Sequence, residues 1–132
     1  MIFVDTSGIY AILDADDSNH APAKALWSRL LADEEELFTT NYVLVETFAL
    51  VQRRLGMEAV RVLQKDILPV IKIEWVNPSR HATALGKLIA AANRQISLVD
   101  WVSFETMRHL EIETVFAFDN DFASQKFDCV PK

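Results

Sequence analysis

The sequence predicts an α/β fold, a three-layer α/β/α sandwich around a mainly parallel sheet. Short apolar runs alternate with segments of helical period along the whole chain, as in folds built from βα units. The first run, 1–4, is apolar on consecutive residues, which is typical of a parallel strand buried on both faces. A length of 132 residues with 51% hydrophobic residues is enough for one domain, 1–132, with a substantial core.

The first half of the chain contains two predicted strands and four predicted helices. The run IFVD at 2–5 predicts the first strand, and LFTT at 37–40 predicts the second. Ser18 or Asn19 can cap the second helix, and Asn41 can cap the third, which stops at Gly56. Apolar residues at helical spacing predict these helices over 7–14, 20–32, 42–55 and 57–66.

The second half continues the alternation. The run at 70–76 alternates only in part, which predicts a strand nearer an edge of the sheet. Asn77 and Pro78 form a cap followed by proline at the first helical position, so a helix begins there and runs to about residue 92. Ser97 starts another helix, which runs to about residue 110. The remaining strands are predicted at 114–118 and, as a short last strand, at 127–130.

Composition and targeting signals limit the kinds of site and the compartment. Cys129 is the only cysteine, so we expect no internal disulfide, no cysteine-based zinc site and a small buried hydrophobic role for this residue. His20, His81 and His109 are scattered among helices, so we expect surface or capping roles for them. The chain has neither a signal-peptide pattern nor an apolar run of about 18 residues, so we expect a soluble cytoplasmic protein with no membrane contact.

Carboxylates follow two of the predicted strands where each strand ends. Asp5 closes the first strand, and Thr6 and Ser7 supply the turn and the cap of the next helix. Asp119 and Asp121 come directly after the strand at 114–118. The carboxyl ends of parallel strands lie at one edge of a sheet, where ligands of α/β proteins bind. A solvated turn is the other interpretation of Asp119 and Asp121.

Two further acidic residues lie within predicted helices. Glu46 is embedded in the mostly apolar segment YVLVETFALV, a position that is costly for a carboxylate unless it is paired or bound to a ligand. A salt bridge to Arg53 or to a nearby lysine is the simpler explanation. Asp100 follows Ser97 at the spacing of a capping box, yet it lies on an apolar side of its helix. Asp100 can therefore act as a cap, as a ligand or as both.

These acids together predict a divalent cation site. Carboxylates that converge at one sheet edge repel one another, and some would protonate unless a cation joined them. Mg²⁺ or Mn²⁺ fits best, because no histidine or cysteine accompanies the acids. Such a site can bind a phosphate, hold an attacking water and stabilise the leaving oxygen of an in-line displacement.

The net charge of −6 argues at first against a nucleic-acid partner. Removing the five candidate ligands from the 19 acidic residues leaves 14 against 13 basic ones, so the remaining surface is near neutral. A metal-loaded cluster can then accept a nucleic-acid backbone with the help of local bases, for which the candidates are Arg53, Arg54, Lys87, Arg94 and Arg108.

Four segments resemble a known family when their order and spacing are taken together. They are VDTS at 4–7, VETFAL at 45–50, LVDWVSFETMRHLEI at 98–112 and VFAFDNDF at 115–122. On these segments the chain resembles the PIN-domain ribonucleases of the VapC toxin type over nearly all of its 132 residues.

The resemblance implies a fold, a reaction, partners and a set of site residues. The fold is a parallel sheet of four or five strands, and the reaction is Mg²⁺- or Mn²⁺-dependent hydrolysis of RNA by an endoribonuclease. The partners are a second copy of the chain and an antitoxin whose extended segment covers the acidic groove. The implied metal ligands are Asp5, Glu46, Asp100 and Asp119, with Asp121 as a fifth through water, and Thr6 or Ser7 would orient Asp5 or a metal-bound water.

Two positions depart from the family pattern. Glu111 stands where relatives often have glycine, and the segment before Phe127 lacks an expected glycine. Both positions fall in turns and leave the acids intact, so they concern local loop geometry and not the chemistry.

Two other functions compete with the nuclease. A receiver-type phosphoacceptor domain also clusters acids, but it needs a lysine after a late strand, where this chain has Asp119–Asn120–Asp121. A PIN-like domain that binds RNA or a protein without cutting is the second. We favour the ribonuclease, in which Asp5, Asp100 and Asp119 hold the metal and Glu46 completes the site or helps to deprotonate water.

Overall fold

A fully parallel sheet of five strands forms the middle layer of the protein. The computed structural model describes residues 1–132. The strands lie in the order β3-β2-β1-β4-β5, and every neighbouring pair is parallel. This confirms the predicted α/β fold and the edge position of the third strand. The strands are β1 (Ile2–Val4), β2 (Leu37–Thr40), β3 (Ile71–Glu74), β4 (Thr114–Phe116) and β5 (Asp128–Val130).

Seven α-helices cover the two faces of this sheet. A π-helical turn at Leu63–Ile67 and a 3₁₀ turn at Leu68–Val70 lead into β3. No helix is both long enough and apolar enough to cross a membrane. The helices are α1 (Thr6–Leu13), α2 (His20–Ala32), α3 (Asn41–Leu55), α4 (Met57–Val62), α5 (Pro78–Ala91), α6 (Leu98–His109) and α7 (Asp121–Ser124).

The core is split into two hydrophobic clusters because side chains alternate between the faces of each strand. Val4 and Phe116 pack in one cluster with residues of α1 and α2, and Phe3 and Val115 pack in the other with residues of α5 and α6. Helix α3 contributes its first turn to one cluster and its last turns to the other. It therefore crosses the carboxyl edge of the sheet, which places its middle at that edge.

The structure corrects several predicted element boundaries. The strands at 2–5 and 114–118 end earlier, because Asp5 becomes the N-cap of α1 and the chain leaves β4 after Phe116. The predicted helix over 57–66 divides into α4 and the π-helical turn, and Pro69 lies in the 3₁₀ turn that follows. The four-residue helix α7 was not predicted. Cys129 is half-buried in β5, not fully buried as expected.

One predicted helix cap is wrong, and a second lacks its hydrogen bond. Thr40, not Asn41, caps α3, since its hydroxyl accepts a hydrogen bond from the Val43 N–H at 3.2 Å. The Asn41 Oδ1 instead accepts from the Val76 N–H at 2.9 Å, which ties the start of α3 to the chain just after β3. Asn19 occupies the N-cap position of α2 without a side-chain hydrogen bond.

Both departures from the family pattern lie in left-handed turns that close helices. Glu111 has a φ of 58° after α6, and Lys126 has a φ of 70° after α7. In each turn the next residue donates its N–H five residues back, from Ile112 to the Met107 carbonyl at 2.8 Å and from Phe127 to the Phe122 carbonyl at 3.1 Å. These are Schellman motifs, in which glycine is the usual residue at the left-handed position. The chain keeps the turn geometry without the glycine.

Gly8 permits the close approach of α1 to β4. A Cβ atom at this position would lie 2.8 Å from both the backbone oxygen and the Cδ1 of Phe116. Such a contact is too short for a real Cβ, so the helix would have to move away from the sheet. Asp5 precedes this helix, so the approach also fixes the position of its carboxylate.

We expect Gly8→Ala to lower the free energy of unfolding by about 1–3 kcal/mol, because it overpacks the contact with Phe116. Gly86→Ala is the matched control, since a Cβ there meets nothing within 4 Å inside α5. Alanine at position 86 should raise the free energy of unfolding by about 0.5–1 kcal/mol through helix propensity. Urea denaturation of both variants measures this contrast. Equal effects of the two substitutions would contradict the close approach.

Candidate metal centre

The predicted acids gather at the carboxyl edge of the sheet, near β1, where the direction in which successive strands are added to the sheet reverses. From β1 the sheet grows outward through β2 and β3 on one side, and through β4 and β5 on the other. This reversal between neighbouring parallel strands is the usual ligand-binding position in open α/β sheets. Asp5 follows β1, Asp119 follows β4 and Asp100 lies in the first turn of α6. The fold thus brings together acids from distant parts of the chain.

Asp5 is held rigidly at the end of β1. Its side chain is buried, with only 4% of the residue exposed. The Ser7 hydroxyl donates to the Asp5 Oδ2 at 2.7 Å, and the Ser7 N–H donates to the same oxygen at 3.2 Å. The Ser7 Oγ accepts in turn from the Phe118 N–H at 3.0 Å. Ser7 therefore links the carboxylate to the chain that leaves β4.

Thr6 has a different contact from Ser7. Its hydroxyl lies 2.9 Å from the Thr47 hydroxyl, and both side chains are buried. This hydrogen bond fastens the start of α1 to the middle of α3, next to Glu46. Of the two hydroxyls predicted to orient Asp5, the structure places that of Ser7 against the carboxylate. Thr47 is a supporting residue that the sequence analysis missed, because nothing in its apolar segment singles it out.

Asp100 takes part in a capping box and retains a free oxygen. The Ser97 hydroxyl accepts from the Asp100 N–H at 3.1 Å, and the Asp100 Oδ2 accepts from the Ser97 N–H at 3.0 Å. The other carboxylate oxygen, Oδ1, has no hydrogen-bond partner within the protein. Both interpretations of this residue therefore remain compatible, since the cap uses one oxygen and leaves the second for a ligand.

Asp119 and Asp121 complete a group of three acids. The Asp121 N–H donates to the Asp119 Oδ1 at 2.7 Å, which folds the segment so that both side chains face the same region. One carboxylate oxygen from each of Asp100, Asp119 and Asp121 lies within 4.8 Å of the others, close enough for three groups to hold one ion. We call these residues the three-acid group. Asp5 and Glu46 lie outside this group but act on it electrostatically.

Glu46 lies at the sheet edge without a cationic partner. The structure contains no ion pair between Glu46 and Arg53 or any lysine. The salt bridge considered from the sequence is therefore absent. Its half-buried carboxylate instead contributes to the negative potential around Asp5 and Asp100.

Burial and mutual repulsion raise the pKa of the central acids. Burial raises the pKa of Asp5 to about 7, against the opposing hydrogen bonds from Ser7, and the charges of Asp100 and Glu46 raise it further. Burial likewise raises the pKa of Asp100 to about 6, with added repulsion from Asp119 and Glu46. These shared causes show that the carboxylates lie close enough to sense one another.

The donor set fits a hard divalent cation. All candidate ligand atoms are carboxylate oxygens, which Mg²⁺ and Mn²⁺ prefer. None of the five predicted acids forms an ion pair with a lysine, arginine or histidine of the chain. Buried carboxylates that lack a cationic partner are costly, and a bound ion would supply that partner. The predicted acids are Asp5, Glu46, Asp100, Asp119 and Asp121.

Only some of the predicted bases remain available for a nucleic-acid backbone. Lys87 and Arg108 both pair with Glu105, at 2.5 and 3.5 Å. Arg54 lies over the Tyr10 ring, 5.7 Å from its centroid. Arg53 and Arg94 are exposed and form no ion pair.

The chain is similar to known proteins over nearly its whole length. Residues 2–128 match the PIN domain family. The 23S rRNA-specific endonuclease VapC20 of Mycobacterium tuberculosis is 37% identical over 128 residues, which cover 96% of this chain and 95% of VapC20.

Solved structures show the same likeness. The crystal structure of M. tuberculosis VapC20, described as a Sarcin-Ricin loop cleaving toxin, has a TM-score of 0.85 at 35% identity and covers 96% of each chain. FitAcB from Neisseria gonorrhoeae has a TM-score of 0.72 at 18% identity, over 99% of this chain and 97% of its own. This second likeness concerns the fold alone.

We expect the metal-free protein to lose stability as the pH rises through the raised pKa of Asp5. The folded state binds this proton more tightly than the unfolded state, so its contribution is complete below about pH 4 and is lost by about pH 7. The shift corresponds to roughly 4 kcal/mol in the free energy of unfolding. Urea denaturation with a chelator, between about pH 4 and pH 8, measures this loss.

Asp5→Asn removes the titrating group and keeps an oxygen that can accept the Ser7 hydrogen bonds. This variant should show a flatter pH profile and greater stability than the wild type at about pH 8. Asp33→Asn, at an exposed position without an ion pair, should follow the wild-type profile. Parallel profiles for wild type and Asp5→Asn would show that Asp5 is not strained by its surroundings.

Proposed function

The chain belongs to the PIN-domain family, and from that premise we propose that it is a metal-dependent endoribonuclease, the toxin of a toxin–antitoxin pair. The observation that carries the proposal is the three-acid group, whose carboxylate oxygens lie within 4.8 Å of one another without a cationic partner. We treat residues 1–132 as one PIN domain. A receiver-type phosphoacceptor function is set aside, because the chain belongs to the PIN-domain family and the residues directly after β4 include Asp119, Asn120 and Asp121 but no lysine.

We assign the role of metal ligand to Asp100 and Asp119 of the three-acid group and to Asp5, which lies outside that group, with Asp121 as a further ligand through water. When bound at such a site, Mg²⁺ or Mn²⁺ neutralises phosphate charge and lowers the pKa of a coordinated water. Ser7 holds Asp5 in a fixed orientation through two hydrogen bonds, so this ligand needs no reorganisation. The capping box does the same for Asp100.

Glu46 is the candidate general base, which would accept a proton from the attacking water. Its carboxylate lies at the sheet edge, is not neutralised by any base, and projects from the middle of α3. In phosphodiester hydrolysis a water oxygen bonds to phosphorus, one ester P–O bond breaks, and the departing oxygen gains a proton. Glu46 would accept the proton that the attacking water loses. The second role left open by the sequence, completing the ligand set, is compatible with the same position.

RNA is the substrate class, and ribosomal RNA is its first candidate. VapC20, which is 37% identical to this chain, is named a 23S rRNA-specific endonuclease, and its crystal structure is described as that of a Sarcin-Ricin loop cleaving toxin. The aligned stretch spans 96% of this chain. A stem-loop RNA of the sarcin–ricin sequence is accordingly the first substrate to test.

An antitoxin and a second copy of the chain are the proposed protein partners, and the cytoplasm is the proposed compartment. The antitoxin segment would cover the acidic edge, where a basic side chain could neutralise the uncompensated carboxylates. Trp75 and Ile89 support a further protein contact, since each is an exposed apolar side chain with 70% of its surface accessible. Light scattering of the purified chain would give its oligomeric state.

We expect Asp100→Asn and Asp119→Asn each to reduce the rate of RNA cleavage by at least about two orders of magnitude, because each removes a metal ligand. Both variants should keep the wild-type circular dichroism spectrum. The measurement is cleavage of the stem-loop RNA and of total RNA, with Mg²⁺, with Mn²⁺ and with a chelator. Asp33→Asn is the matched control and should cleave as the wild type does.

Two outcomes would reject the proposal. Full activity of a folded Asp100→Asn Asp119→Asn double variant would separate the reaction from these acids. RNA binding by the wild type without cleavage under any metal condition would favour the non-catalytic PIN-like domain.

A further inference from the structure

A mostly apolar hollow opens directly beside the acids. It has a volume of about 420 Å³ and is lined by Asn41, Tyr42, Val45, Glu46 and Val99. We call it the α3–α6 hollow, because four of its residues belong to α3 and Val99 lies in the first turn of α6. The hollow is continuous with the site, since Glu46 forms part of its wall and Val99 directly precedes Asp100. Its volume is within the usual range for small-ligand sites.

The Tyr42 ring is a fixed aromatic wall of this hollow. Its hydroxyl lies 2.5 Å from the His81 Nδ1 on α5, and its ring packs against the cluster that contains Phe104. Because both ends of the side chain are held, the ring presents its surface without a large loss of conformational entropy on binding. None of the hydrogen bonds of the acidic site involves this ring.

Asn41 supplies a hydrogen-bond donor beside this ring. Its Oδ1 accepts from the Val76 N–H at 2.9 Å, which fixes the orientation of the side-chain amide. Asn41 is half-buried, and its amide nitrogen has no hydrogen-bond partner within the protein. The hollow therefore combines an aromatic surface, two valines and one available N–H group.

We propose that the α3–α6 hollow binds one unpaired nucleobase of the RNA, stacked on the Tyr42 ring, with the Asn41 amide donating to the edge of the base. The inference rests on the proposed function and adds a substrate-binding subsite to it. Proteins recognise unpaired RNA bases by stacking on aromatic side chains and by hydrogen bonds to base edges. The hollow suits an uncharged base, whereas a phosphate would be repelled by Glu46.

The position of the hollow places this base next to the phosphate that is cut. A base is joined to its phosphate through one sugar, so a phosphate at the three-acid group brings a flanking base to the neighbouring wall. Stacking tolerates every base because each has a π-face. The subsite should therefore require the presence of a base at one position and discriminate weakly among the four.

The test uses single-stranded RNA oligonucleotides that carry 2-aminopurine at one position each, with Ca²⁺ in place of Mg²⁺. Stacking on the ring should quench the fluorescence at one position when the wild-type protein binds. Tyr42→Phe retains the ring and should retain the quenching. Tyr42→Leu retains the apolar bulk but should lose the quenching, and its dissociation constant for the RNA should rise about tenfold. Tyr10→Leu is the matched control, since the other tyrosine packs in the cluster on the opposite face of the sheet.

A second measurement links the base to the residue. Removing the base from that position of a cleavable RNA should lower kcat/KM about tenfold for the wild type, mainly through KM, and should cause no further loss in Tyr42→Leu. Asn41→Ala should weaken binding only when that base is present.

Each outcome decides between the alternatives. The subsite would be overturned if a folded Tyr42→Leu variant quenched the fluorescence as strongly as the wild type. It would also be overturned if the substitution and the removal of the base had additive effects on kcat/KM. A change in molecular mass of Tyr42→Leu or Val45→Asp by light scattering, with unchanged RNA binding, would assign the hollow to a contact between copies and also overturn it. Tyr42-dependent quenching in a protein that cuts no RNA would leave the subsite standing and reject only the proposed catalysis.

Discussion

The structure depends on holding several carboxylates close together without a basic side chain to neutralise them. Five acids converge at one edge of the sheet, and none of them forms an ion pair. Burial and repulsion raise the pKa of Asp5 to about 7 and that of Asp100 to about 6. The fold tolerates this strain because hydrogen bonds from Ser7, Ser97 and the Asp121 backbone fix the carboxylates in place. A divalent cation relieves the same repulsion, so the strain favours ion binding.

The sheet topology allows a short chain to bring these acids together. Reversal of the strand order at β1 and β4 puts two strand ends next to each other, and α3 crosses the same edge between the two core clusters. The close approach of α1 to β4 at Gly8 and the buried pair of Thr6 and Thr47 keep these elements in register. These few contacts position the acids, and the two hydrophobic clusters support the elements that carry them.

The sequence predicted what depends on local patterns. Asp5 and Asp119 could be placed because each directly follows an apolar run in the sequence, and Asp100 because its spacing from Ser97 is that of a capping box. The parallel direction of the strands follows from the βα alternation, whereas their order was not predicted. The family resemblance added the ligand set, and the structure brings Asp100, Asp119 and Asp121 within reach of one ion.

Features that depend on contacts between distant residues could not be predicted. Ser7, not Thr6, is the partner of Asp5, and its hydroxyl is held by the N–H of Phe118, which lies 111 residues from Ser7 in the sequence. Glu111 adopts a left-handed turn that glycine would normally occupy, because the carbonyls at the end of α6 still need donors. The α3–α6 hollow could not be predicted either, because it forms only where two helices that are distant in sequence come together in the fold.

The most direct test of the central claim is the position of Mn²⁺ in crystals of the protein. Anomalous scattering from crystals soaked in Mn²⁺ locates the ion without any assumption about activity. We expect an anomalous peak in contact with the carboxylates of Asp100 and Asp119. In crystals of Asp119→Asn we expect no peak at this position. Mn²⁺ bound elsewhere, with this acidic edge empty at saturating concentration, would contradict it.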